Sequence, residues 1–163
     1  MVIPDGSART SVLLQARLDL TLESVTEEWH WYENRQNALL MFWLHFPGIP
    51  VLAVRGSGEM LRLAESEPHS SYDMREYGQS KVGPGRQPSL LAAFVGSRLR
   101  DATLIWGYST EPAVGGVLFQ FDTGNLAVAS FCDEWVIARD GLPPDAARYH
   151  RVEAVTITGC QTS

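Results

Sequence analysis

Val117-Leu118-Phe119-Gln120-Phe121-Asp122-Thr123-Gly124-Asn125-Leu126-Ala127-Val128-Ala129-Ser130-Phe131 is the stretch that decides the fold. Val117, Phe119 and Phe121 recur at every second residue, the period at which side chains return to one face of a strand. Asp122 to Asn125 supply the residues that tolerate a tight hairpin turn, and Leu126 to Phe131 form the returning strand. The chain holds a similar unit upstream. Phe46 aligns with Phe121 at a spacing of 121 − 46 = 75, and Leu52-Ala53-Val54 aligns with Leu126-Ala127-Val128 once one extra residue in the first turn is absorbed. At the same spacing of 75, Trp31 falls on Trp106, Phe42 on Val117, Leu44 on Phe119 and Glu59 on Glu134.

This pattern predicts a mainly β protein, with α+β as the alternative. Two tandem antiparallel β-meander halves, 12–67 and 89–159, would be related by internal duplication and accompanied by one or two short helices. Residues 68–88 carry Gly78, Gly83, Pro84 and Gly85 without an apolar period, so they are expected to be a loop-rich joint. Residues 1–11 are expected to be a flexible N-terminus, and 12–163 a single globular domain.

Alternation of Leu14, Ala16, Leu18, Leu20 and Leu22 with Gln15, Arg17, Asp19 and Thr21 predicts a first strand with one wet face. Further strands are expected at 25–33, 39–46, 51–55, 59–64, 99–108, 134–139 and 152–158. Pro88 and Ser89 ahead of the apolar run, with Gly96 behind it, predict a short helix over 89–95. The strand at 38–46 is apolar on both sides, with Leu40, Phe42, Leu44 and Phe46 on one and Leu39, Met41 and Trp43 on the other. Burying one tryptophan removes about 200 Å² from water, worth on the order of 5 kcal/mol at about 25 cal/mol per Å². Both faces therefore need a cover, either another layer of the same chain or a second copy in a homodimer.

A length of 163 residues suits one domain, and a hydrophobic fraction of 45% with 20% charged residues is ordinary for a globular protein. The apolar run from Ala38 ends at His45, well short of the roughly 20 residues of a bilayer-spanning helix, so no membrane role is expected. The N-terminus has neither a basic start nor an apolar core, so a cytoplasmic location is expected. Cys132 and Cys160 are read as free thiols. The net charge of −6 argues against nucleic acid and makes a basic protein the natural partner. Twelve arginines against the single Lys81 point to a GC-rich bacterial genome.

Residues that carry catalysis are scarce. His30, His45, His69 and His150 fall in no metal-ligand spacing, and no metal or cofactor is expected. Cys132, Asp133 and His150 are the residue types of an activated thiol, read here as coincidence. Glu27, Glu28 and Glu33, and Asp133 with Glu134, read as acidic strand edges that discourage unwanted pairing. Gly56-Ser57-Gly58 reads as a turn.

The most distinctive string is Trp29-His30-Trp31-Tyr32-Glu33. Trp29 and Trp31 share a side with Val25 and are expected in the core. Glu28, His30 and Tyr32 face the other way and, with Glu33, form a candidate recognition strip, since aromatic residues at a charged rim anchor protein partners. Tyr72, Asp73, Glu76 and Tyr77 in the joint have the same character. The expected function is a non-enzymatic protein-binding module, an inhibitor of a basic toxin. In size, charge and lack of catalytic motifs the chain resembles small acidic β-rich bacterial immunity and antitoxin proteins, and that generic likeness implies a partner-covering role without assigning any residue. The alternatives are a small-molecule-binding or hydrolytic β domain with a cleft between the halves, and a structural self-associating subunit.

Overall fold

The structure, a computed structural model, describes residues 5–86, 88–107, 113–131, 134–153 and 156–158. Its elements in chain order are α1 (Asp5–Gln15), β1 (Ser24–Tyr32), β2 (Arg35–His45), β3 (Leu52–Ser57), β4 (Met60–Glu65), β5 (Tyr72–Asp73), β6 (Gln79–Pro84), β7 (Leu99–Trp106), β8 (Val114–Phe121), β9 (Gly124–Phe131), β10 (Glu134–Arg139), α2 (Pro144–Ala147) and β11 (Arg151–Val152). Single 3-10 turns lie at Arg75–Tyr77 and Ala92–Phe94.

The strands form two antiparallel sheets, ordered β4-β3-β2-β1-β6-β5 and β10-β9-β8-β7-β11. The mainly β reading holds, and each half is a four-stranded meander, β1 to β4 and β7 to β10. Their pairing repeats. Phe42 faces Val54 and Leu44 faces Leu52 in the first, while Val117 faces Val128 and Phe119 faces Leu126 in the second. The offsets are 117 − 42 = 75 and 128 − 54 = 74, the difference being the extra residue of the first turn. The opening hairpins keep a different register. Val25 faces Leu44, but Ala102 faces Phe119, an offset of 102 − 25 = 77 on that strand, so Trp31 and Trp106 do not occupy equivalent places.

Phe42, Val54 and Leu63 of the first sheet share one buried core with Val117, Phe119 and Val128 of the second. The ring of Trp135 on β10 packs against Phe42 with centroids 5.4 Å apart. Leu14 from α1 and Phe94 from the second 3-10 turn are fully buried in the same core.

Several expectations are corrected. The stretch expected as a loose tail followed by a strand over 14–22 is instead α1 and a turn. Ser7, Thr10, Leu14 and Arg17 are all buried, a spacing of three and four that belongs to a helix face. Two of those residues are small and polar, so they add nothing to an apolar count, and the leucine alternation dominated. Arg17, expected to be wet, is 0% exposed, and its guanidinium donates to the carbonyls of Leu13 at 2.9 Å and Pro50 at 2.6 Å. Burial lowers its pKa, partly offset by Glu65 at 3.8 Å.

The joint at 68–88 is not featureless, because β6 completes the first sheet beside β1. The expected helix over 89–95 shortens to the turn Ala92–Phe94, where the Ser89 hydroxyl accepts from the Ala92 amide at 3.3 Å. The strand expected over 152–158 is only Arg151–Val152, with residues 154 and 155 outside the described set, as is Tyr108 at the end of the strand expected over 99–108.

Trp43 is 1% exposed, packed with Val51 and Ala53 on the face away from the main core. Met41 on β2 and Val82 on β6 pack against the same cluster, and from the arch between β4 and β6 the His69 ring stands edge-on to Trp43 at 5.4 Å. The second cover that the sequence demanded is thus supplied within the chain.

Candidate functional site

β1 lies between β2 and β6 and is regular against β6. The extra residues of its pairing with β2, Leu40 and Asn37, sit in β2, where two bulges interrupt the ladder. Regular alternation therefore places Glu28, His30 and Tyr32 on the outer face, and Glu27, Trp29 and Trp31 on the face toward the core side.

On the outer face a buried carboxylate fastens the arch. Glu28 is 4% exposed, accepting from the Ser80 hydroxyl at 2.6 Å and lying 3.2 Å from Nε2 of His69. The His69 ring also neighbours Tyr72, with centroids 5.7 Å apart. Further along β1, Nε2 of His30 meets the carbonyl of Tyr77 at 2.5 Å, and Nδ1 meets the Asn37 amide at 2.8 Å. A carbonyl can only accept, so Nε2 carries the proton and Nδ1 accepts from Asn37. Gly78 makes this approach feasible. Its φ is +105°, and a Cβ there would stand 2.2 Å from the Trp31 carbonyl.

The result is a strip in which Tyr32 is 48% exposed, Tyr72 50% and Tyr77 68%. His30 stacks near Tyr32 at 6.5 Å, and the Asp73 carboxylate accepts from the Arg75 amide at 2.8 Å. Glu33 sits in the β1–β2 turn with Asn34, both in the left-handed region at φ 49° and 61°, and Glu76 is exposed in the 3-10 turn. The two separate segments singled out in the sequence thus meet on one surface. Glu28 is the exception, holding that surface together from beneath. His69 and Ser80 were missed, because an isolated histidine and a serine in a loop-like segment carry no pattern.

Ser80, Glu28 and His69 are the residue types of a hydrolytic triad in the wrong order. The carboxylate stands between the other two, so the hydroxyl donates to Glu28 and the imidazole is no base for it. His150 is buried, its ring nitrogens 3.0 Å from the Ala146 carbonyl and 3.2 Å from the Ser130 carbonyl. Cys132 and Asp133 lie outside the described residues. Among the described residues no three His, Cys, Asp or Glu side chains converge as metal ligands.

The opposite face of β1 corrects another expectation. Trp29 and Trp31 are partly exposed and line a groove of about 570 Å³ with Glu27, Lys81, Arg86 and Ser89. Glu27, only 7% exposed, accepts from the Trp29 indole at 2.9 Å and the Ser89 hydroxyl at 2.5 Å. The Lys81 ammonium lies 4.0 Å from the centre of the Trp31 ring. The signal for this groove was Glu27 itself, a carboxylate on the side of β1 that also carries Val25 and two tryptophans.

No protein-family model matches the chain, and neither a curated protein nor a solved structure is significantly similar to it.

Proposed function

We propose that this chain is a non-enzymatic protein-binding module, an immunity- or antitoxin-like inhibitor of a basic toxin, acting in the cytoplasm of a GC-rich bacterium. The observation that carries the reading is the strip itself: Tyr32, Tyr72 and Tyr77 stand about half or more exposed on one surface, and the bond from His30 to the Tyr77 carbonyl ties the backbone of the second segment to β1. Large amphipathic rings lose little conformational entropy on binding, which makes them good anchors. Glu33, Asp73 and Glu76 beside them, on a chain of net charge −6, favour encounter with a cationic surface. The repeated pairing register supports a common origin for the two meanders. Self-association through residues 38–46 has less support, since the chain itself covers Trp43.

The test is affinity recovery from the native host with the wild-type chain and with the Tyr72→Ala/Tyr77→Ala double variant. Support is a basic protein retained by the first, lost from the second and released by raised salt. Equal recovery by both chains removes the strip from the reading.

A further inference from the structure

We infer that the groove on the inner side of β1 is a binding site for a small anionic ligand with one ring, a heterocycle or a sugar, the ring face lying on Trp29 and its charge meeting Lys81 and Arg86. The inference is independent of the tyrosine strip, which occupies the other face of the strand.

The groove is built and held. A carboxylate that is 7% exposed is costly to keep unless its oxygens are bonded, and Glu27 has both engaged, one by the Trp29 indole and one by Ser89. The Trp29 ring is thereby fixed, and the segment after β6 is clamped to the floor. Gly85 lies so close that a Cβ there would stand 2.8 Å from the Glu27 carboxylate, and its amide donates to the Val25 carbonyl at 2.8 Å. A volume of about 570 Å³ falls among those of small-ligand sites.

The chemistry follows from what remains unengaged. Both Glu27 oxygens already accept a hydrogen bond, whereas Lys81 and Arg86 make no ion pair among the described residues. Lys81 faces Trp29 across the β1–β6 ladder, yet its ammonium leans over Trp31. The Lys81 ammonium already covers the Trp31 ring, so that indole is not the platform. A ring on Trp29 instead points a substituent at the ammonium beside Trp31. One negative group on a sugar or heterocycle fits this geometry, as a phosphate or as a carboxylate.

The test titrates the purified full chain with uridine monophosphate and with glucuronate, each beside its neutral counterpart, uridine or glucose. The readout is the indole N–H resonances, assigned by Trp29→Phe and Trp31→Phe, with Trp43 as the internal control. The expected result is movement of the Trp29 and Trp31 signals by at least one anionic probe, bound about tenfold more tightly than its neutral counterpart. That binding should weaken about tenfold in Lys81→Gln and in Arg86→Gln, exposed substitutions that leave the Trp43 signal in place. Response to the phosphate alone, or to the carboxylate alone, supports the site and identifies which group it takes. No movement by either probe up to about 10 mM overturns the inference, as does equal binding of the neutral counterparts. Loss of toxin-type partner capture in the tyrosine variant would leave these titrations unchanged.

Discussion

The hydroxyl of Ser130 on β9 donates to the carbonyl of Gly58, in the turn after β3, at 2.7 Å, a partly buried bond that joins the two sheets. Beside it, a Cβ on Gly56 would lie 2.9 Å from the same hydroxyl. Gly56 and Ser130 are themselves equivalents, since 130 − 56 = 74, the offset of the repeated register. Ser130→Ala is expected to destabilise by about 1 kcal/mol through the lost bond. Gly56→Val should cost more, about 1–3 kcal/mol, because its branches enter the sheet-to-sheet contact. Urea midpoints of both variants measure this, and a neutral Gly56→Val would mean that the sheets do not meet here.

Gly78 is a second sensitive glycine. Gly78→Ala combines a left-handed backbone with a collision against the Trp31 carbonyl, and a loss of about 1–3 kcal/mol is expected. The more telling readout is local. Amide exchange over 72–80 should quicken while that of β8 and β9 is preserved, showing that the arch detaches from β1 before the core yields.

Trp43 separates packing from hydrogen bonding. Its indole Nε1 is buried with no hydrogen-bond partner among the described residues. Trp43→Ala should cost about 3–5 kcal/mol. Trp43→Phe removes the unbonded donor together with some volume, so a loss under about 1.5 kcal/mol is expected from thermal or urea unfolding.

Two carboxylates set the acid limit. Burial works against the charge of Asp101, but the Thr158 hydroxyl, the amides of Ala102 and Thr158, and Thr156 outweigh it and hold the pKa below the ordinary range. Asp122 is held low chiefly by its hydrogen bond from Arg100, aided by Arg98. A depressed folded pKa stabilises above the unfolded value of about 3.9 and is lost as pH falls through the folded value. Unfolding midpoints should therefore drop below about pH 4, and Asp101→Asn should flatten that drop. The Asp122 contribution, being at the surface, should fade in high salt. An identical acid profile in wild type and Asp101→Asn would exclude the Asp101 contribution.

Much of the β framework was legible because strand periodicity and hairpin turns are local. Val117 to Phe131 announced both strands and the turn between them, and the matching spacing located β2, β3 and β4. What escaped depended on distant partners. β6 has too little alternation of its own and becomes a strand only by pairing with β1. The helical face of α1 was hidden because Ser7, Thr10 and Arg17 are polar residues made core by what surrounds them. Trp29 and Trp31 looked like core because their side of β1 is the core side, and sequence does not say where the opposing layer stops. The two segments of the candidate strip were singled out in the sequence but their fastening was not, since nothing near His69 or Ser80 names Glu28 as their common partner.

The placing of β6 has a consequence for biosynthesis. β1 and β2 leave the ribosome as a hairpin, but the far flank of β1 waits for residues about 50 positions downstream, as the pairing of Trp29 with Lys81 shows. Until then that strand is an open seam, so a nascent or truncated chain stopping near residue 67 would expose a sticky border. The first meander is for this reason a poor candidate for separate expression, however self-sufficient its four strands look.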